Sequence, residues 1–199
     1  MFYKITSGRR WRLKTATAPH HERLDGLNAE FAMFGSLAAY KNYLRATYAS
    51  RLTLESMLDA SNVAALLPDW EGRKIQAQLI ADFSDLRDGE ETLSPSACRP
   101  IGGPVDLPTI IGTLYVLEGS ALGAAVLVKR AAALGLSPEY GARHLARQVD
   151  NLPGWNAMIK LLDSAPFEES DEDRCVQASI AAFDAFEYNY RKFFCAVAA

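Results

Sequence analysis

The sequence predicts an all-α fold, a single compact multi-helix domain over residues 1–199, on three observations. Apolar residues recur at three- and four-residue intervals along most of the chain, the spacing that lines one face of a helix. Alternating runs rich in Val, Ile and Thr, which would read as half-buried strands, are scarce. The length, 199 residues, suits one domain with a full hydrophobic core, and no stretch has the composition of an interdomain linker.

About seven helices follow from the periodicity. The first covers about 9–26, from Arg9 through His20 and His21 to a stop near Gly26. A second begins after Ser36, a residue type suited to an N-cap, and carries Tyr40, Tyr43, Leu44 and Tyr48 to about Ala60. A short third element lies near 61–66, before Pro68. The fourth takes 70–88, with Ile75, Leu79, Ile80 and Phe83 on one stripe. Residues 90–107, with Ser94-Pro95 and Gly102-Gly103-Pro104, form a surface loop. The fifth helix starts at Leu107-Pro108, with proline in its first turn, and runs to Leu134, where Gly135 ends it. A short helix follows Ser137-Pro138, another covers 153–163, and the acids of 168–173 open a last helix that ends near Phe194.

Composition narrows the function. Lys and Arg total 21 against 24 Asp and Glu, a net charge of −3, which gives no electrostatic footprint for nucleic acid. Cys98, Cys175 and Cys195 form no CxxC pair and are odd in number, so free thiols in a reducing compartment fit better than disulfides or structural zinc. Residues 1–12 lack the apolar core of a signal peptide, and no run reads as a membrane span; the expected location is the cytoplasm. No metal-binding ExxH or HExxH, GxSxG, Walker or dinucleotide motif is present.

The segment 114–130 is the most informative. Gly119 and Gly123, four apart in an apolar helical run, share one face and leave it nearly bare, with Ser120, Ala121, Ala124 and Ala125 around them. Each glycine costs about 1 kcal/mol against alanine in a helix, and the pair lets the helix bend or lets a large flat group approach its backbone. Close helix packing is the alternative use of such a face. Of three histidines, His21 is placed with Lys14, Thr17 and Asp25 on one helical face. Asp25, one turn on, can accept the Nδ1 proton and leave Nε2 free for a metal. Lys14 puts a cation about 10 Å back along the axis. His20 points away and is expected at the surface; His144 is expected to pack or cap.

Residues 13–25, LKTATAPHHERLD, together with 114–125, LYVLEGSALGAA, resemble the proximal and distal helices of the haem (heme) oxygenase family, in its bacterial branch. Gly141-Ala142-Arg143-His144-Leu145-Ala146 and Ala185-Phe186-Glu187-Tyr188-Asn189 are further matches in the same order. The resemblance implies haem as both substrate and cofactor, held between the first helix and a kinked distal helix. It makes His21 the axial iron ligand with Asp25 behind it, and Gly119, Ser120 and Gly123 the distal groups over the iron. Lys14, Thr17, Ala124, Lys129, Phe186 and Asn189 would contact haem. The helix backbone would press bound O2 toward a meso carbon, and the ring would open to biliverdin, carbon monoxide and iron. Ser120 stands where mammalian-type members have an aspartate; it can bond a water without being a carboxylate. Electrons must come from a ferredoxin or a reductase, because no flavin or nucleotide motif is present. Lys14 favours α-meso opening and Lys129 a rotated haem opened at β or δ, with the balance toward α. A monomer is expected.

Three other readings share part of this pattern. A non-catalytic haem or tetrapyrrole-binding protein would also use His21 and the glycine face. A thiaminase-like enzyme on a similar helical fold would need a nucleophilic cysteine, and none of the three is well placed. A plain helical interaction domain leaves the ordered motifs unexplained.

Overall fold

The computed structural model describes residues 8–87 and 105–195. They form ten helices and no strand: α1 Arg9–Glu30, α2 Leu37–Asp59, α3 Val63–Leu66, α4 Trp70–Arg73, α5 Gln76–Asp85, α6 Leu107–Gly119, α7 Ala121–Ala132, α8 Arg143–Asp150, α9 Leu152–Ser164 and α10 Glu169–Cys195. Most of the expected 90–107 loop, with Cys98, lies outside the described residues.

The caps fall where their residues direct. Ser36 Oγ accepts from the Ala39 amide at 3.1 Å and starts α2. Asp106 does the same for α6 through the Thr109 amide and hydroxyl, with Pro108 in the first turn. Gly135, at φ +80°, reverses the chain after α7 so that the Leu136 amide reaches back to the Ala131 carbonyl.

Four expectations change. The first helix passes Gly26, which is exposed and crowded by nothing, and runs to Glu30; one solvent-facing glycine does not stop a helix whose other residues pack. The stretch 70–88 divides into α4 and α5, and Ile80 is 40% exposed. Its divider is tertiary: Arg73 is drawn inward to Glu118 and the Gly154 carbonyl, and Lys74 is extended. The long fifth helix is interrupted at Ser120 into α6 and α7. Together Leu107–Ala132 are long and apolar enough to cross a membrane, with a mean hydropathy of 1.7 over their most apolar 18 residues, contrary to expectation. Yet 56% of that apolar window is buried inside the protein, as in the core helix of a bundle.

Helix α10 is the spine, packed along α6, α1 and α2. Its closest approach is to α6 at Gly112, where a Cβ would overlap the Cys175 carbonyl oxygen and sit 3.0 Å from Ala178 Cβ. Ser179 Oγ donates to the Gly112 carbonyl at 2.9 Å across the same contact. One apolar cluster, with Leu13, Leu54, Ile111, Leu114, Met158 and Phe183, fills the space around this pair. A second, with Leu27, Tyr40, Leu44, Leu79 and Leu145, joins α1, α2, α5 and α8. Each fully buried Leu contributes about 1.5–3 kcal/mol. The acids at the start of α10 also tie it to α1: Glu172 pairs with Arg9 at 2.6 Å and Asp173 with Arg12 at 2.5 Å.

Candidate functional site: a proximal histidine beside a broken distal helix

Tyr115 of α6 lies near Thr17 of α1. Four residues beyond that point on α1 stands His21, and four beyond it on α6 stands Gly119. One helical turn, about 6 Å of axis, separates each from that pair. Burial raises the Tyr115 hydroxyl pKa, against the pull of Thr17 and Arg10.

The His21 side chain is 65% exposed, and its Nδ1 lies 3.1 Å from Asp25 Oδ2. Nε2 has no partner among the described residues. The Phe183 ring of α10 stands edge-on to the imidazole, centroids 6.1 Å apart, and limits its swing. Thr17 is buried and returns its hydroxyl to the Leu13 carbonyl at 2.8 Å, so it turns into the bundle while Lys14, His21 and Asp25 face out. A four-residue step advances 400°, which sets Thr17 and Asp25 about 80° apart around the axis. Lys14 Nζ sits over the exposed Trp11 ring, 5.6 Å from its centroid. His20, expected at the surface, is partly buried: Nδ1 lies 3.0 Å from Asp184 Oδ1, with Arg23 beside it.

Helix α7 shows solvent an apolar face. Leu122 and Val126 are each 55% exposed, and a Cβ at Gly123 would meet nothing within 4 Å. Gly119 instead backs onto the Trp155 ring, 3.4 Å from where a Cβ would be. Ala124 is buried, and Lys129, five residues along, is exposed. Phe186 and Asn189 lie inside the bundle; Asn189 Nδ2 donates to Ser50 Oγ and to the Ala185 carbonyl, both at 3.0 Å.

The residues flanking Gly119 are pinned by buried polar groups that sequence reasoning missed. Glu118 accepts from Arg73 Nη1 and Asn151 Nδ2, both at 3.0 Å. Burial pushes its carboxyl above the usual range, while Arg73 and Arg51 pull it down. Ser120 Oγ lies 2.7 Å from the Leu117 carbonyl and 2.6 Å from Gln148 Oε1, and accepts from Arg51 Nη2 at 2.8 Å. The hydroxyl expected to hold a water is therefore engaged with protein groups. Nothing local marks Arg51 or Arg73, because each acts across more than 40 residues. Phe183 and Tyr115 carried a signal, one turn from Phe186 and from Gly119 in segments already singled out.

His144 is fully buried, with Nδ1 2.7 Å from Asp82 Oδ2 and Nε2 3.3 Å from the Tyr43 hydroxyl. Asp82 also accepts from the Arg143 and His144 amides, which caps α8 from α5. Burial lowers the His144 pKa. Burial, aided by Glu172, pushes the Cys175 thiol up to about 12, which disarms it as a nucleophile.

Residues 10–192 match the sequence profile of the Heme oxygenase family. The chain is 31% identical over 180 residues to Heme oxygenase PigA of Pseudomonas aeruginosa, a span covering 88% of this chain and 87% of that one. Its backbone superposes on crystal structures of the NO- and CO-bound heme oxygenase of Neisseria meningitidis with a TM-score of 0.78 at 26% identity, over 94% of this chain and 92% of the other.

Proposed function

The chain belongs to the haem oxygenase family and is a haem-degrading oxygenase, and from that premise we propose that it holds haem between α1 and α7, with His21 as the axial ligand. The observation that carries the assignment is an exposed imidazole on α1, 3.1 Å from Asp25, together with an exposed apolar face and an open glycine on α7. Exposed apolar side chains and an exposed, aimed histidine are each costly or idle without a ligand. A flat apolar macrocycle with a metal at its centre uses both.

In this reading Asp25 keeps the proton on Nδ1 and so presents the Nε2 lone pair. Phe183 fixes the ring from the side, and Phe186 lies in the same apolar cluster. Gly123 keeps side chains off the distal face so that the α7 backbone can approach the macrocycle. Haem iron supplies O2 binding and redox chemistry, with electrons from an external ferredoxin or reductase. The carboxylates of haem need cations at the rim; Lys14 at one end and Lys129 at the other are the two assigned here, with Lys14 dominant and α-biliverdin the main product. Ser120 and Ala124 lie behind the face, while Thr17 and Asn189 brace α1 and α10 from inside the bundle.

Hemin added to the purified protein should bind one to one with a Soret band, and His21→Ala should remove the axial ligand while leaving the fold intact. With reductant and O2, the band should give way to biliverdin. Stoichiometric uptake without turnover favours the binding-protein alternative; no uptake ends the assignment. Chromatography of the biliverdin isomers checks the lysines, and mostly β or δ product overturns the role given to Lys14.

A further inference from the structure

Helix α2 sends one arginine to the break in the distal helix. Arg51 is buried, 4% exposed. Its Nη2 reaches the Leu117 carbonyl at 3.0 Å, Ser120 Oγ at 2.8 Å and Gln148 Oε1 at 3.5 Å, while Nη1 faces Glu55 Oε1 at 3.4 Å. One guanidinium therefore binds both sides of Gly119 and links the break to α8. A hydroxyl that returns to the carbonyl three residues back already bends a helix. Arg51 draws on the same carbonyl and the same hydroxyl from outside. Glu118, on the other side of Gly119, is held by Arg73. The break is thus clamped rather than left to glycine flexibility.

The clamp also places charge. Glu118, Tyr43, Tyr190 and His144 all lie within the influence of the Arg51 cation, with Glu55 as its ion-pair partner. The geometry points to Arg51 as a positioning residue for haem cleavage: it fixes the α6–α7 break and sets a buried positive charge behind the glycine turn. The inference rests on haem binding at that turn, as proposed above.

Removing Arg51 alone would strand the Glu55 carboxylate, so the informative variant is Arg51→Met with Glu55→Gln, which leaves no unpaired charge. Arg51→Lys keeps the charge and loses the fork. Two readouts apply once hemin uptake by the wild-type protein is established, which tests the haem assignment separately. Amide hydrogen exchange over residues 117–124 in the haem-free protein should rise at least about tenfold in the double variant, with exchange elsewhere unchanged. The acid–alkaline transition of the ferric hemin complex, read by absorbance, should move upward by a few tenths of a pH unit, because the variant removes the cation at the break together with the Glu55 anion on its far side. Arg51→Lys should show the faster exchange with the transition near its wild-type position. Wild-type exchange or a wild-type transition in the double variant overturns the assignment. If the double variant does not fold, Arg51→Lys decides: wild-type exchange at 117–124 overturns it, and accelerated exchange confined to that segment upholds it.

Discussion

Three glycines on the distal helix pair should respond to the same substitution in different ways. At Gly112 an added methyl group would overlap the Cys175 carbonyl of the α10 backbone and press on the Ala178 Cβ, neither of which can rotate away. Overpacking of this kind costs about 1–3 kcal/mol, and Gly112→Ala is expected at or above the upper end because the obstacle is backbone. It also displaces the carbonyl that Ser179 uses. At Gly123 the methyl group meets nothing within 4 Å, and the residue lies in helical backbone. Replacing glycine by alanine there should add about 0.5–1 kcal/mol to the haem-free protein, a rise in Tm of about 2–4 °C per kcal/mol. The new Cβ would stand on the face assigned to haem, so hemin affinity and biliverdin yield should fall by about tenfold or more, about 1.4 kcal/mol. Gly119→Ala lies between, since its methyl group meets the Trp155 ring at 3.4 Å, an ordinary contact. Urea titration of the haem-free variants and hemin titration of the same samples measure both quantities. A Gly123→Ala protein more stable than the wild type, with unchanged hemin affinity and turnover, would refute the use of this face for haem. A loss of stability above about 1 kcal/mol would refute the open space itself.

Arg73→Met strands the buried Glu118 carboxylate and should cost about 3–5 kcal/mol in urea, most of it recovered when Glu118→Gln is added; equal costs for single and double variants would contradict the pairing. His21→Ala should leave urea stability within about 1 kcal/mol of wild type, because the His21–Asp25 pair is exposed, while abolishing axial ligation in the hemin spectrum. Burial depresses the His144 pKa, so the unfolded chain takes its proton near pH 6.5 before the folded one does. The stability held by neutral His144 is therefore complete above about pH 6.5 and drains as pH falls below it. Glu118 and Glu55, raised by burial, act in the opposite sense, so the comparison is with His144→Gln, whose urea midpoint should fall less between pH 7.5 and 5. An identical pH slope in the two proteins would remove His144 as the cause.

Much of the candidate site was legible because it is local. The His21–Asp25 pair is an i, i+4 relation on one helix, and the structure places the two atoms 3.1 Å apart. Ser36, Pro108 and Gly135 mark helix ends through their own backbone chemistry, and each does so here. Periodicity alone could not place Thr17, which shares the His21 stripe within about 40° yet turns into the bundle. It also could not divide 70–88, since the divider is an attraction between Arg73 and a carboxylate 45 positions away.

The sequence by itself determined the helical class, the one-turn spacing of His21 and Asp25, and the four-residue spacing of Gly119 and Gly123. Each is a property of residues within a few turns of one another, where helical geometry converts spacing into direction. Only the tertiary structure decided where the distal helix breaks, that Gly112 seats α6 against α10 while Gly123 stays open, and that Ser120 serves the protein backbone. Those outcomes depend on which distant groups meet, above all Arg51 and Arg73 arriving on either side of Gly119. A buried cation settles wherever packing lets its hydrogen bonds be satisfied, and that place is fixed by the whole bundle at once.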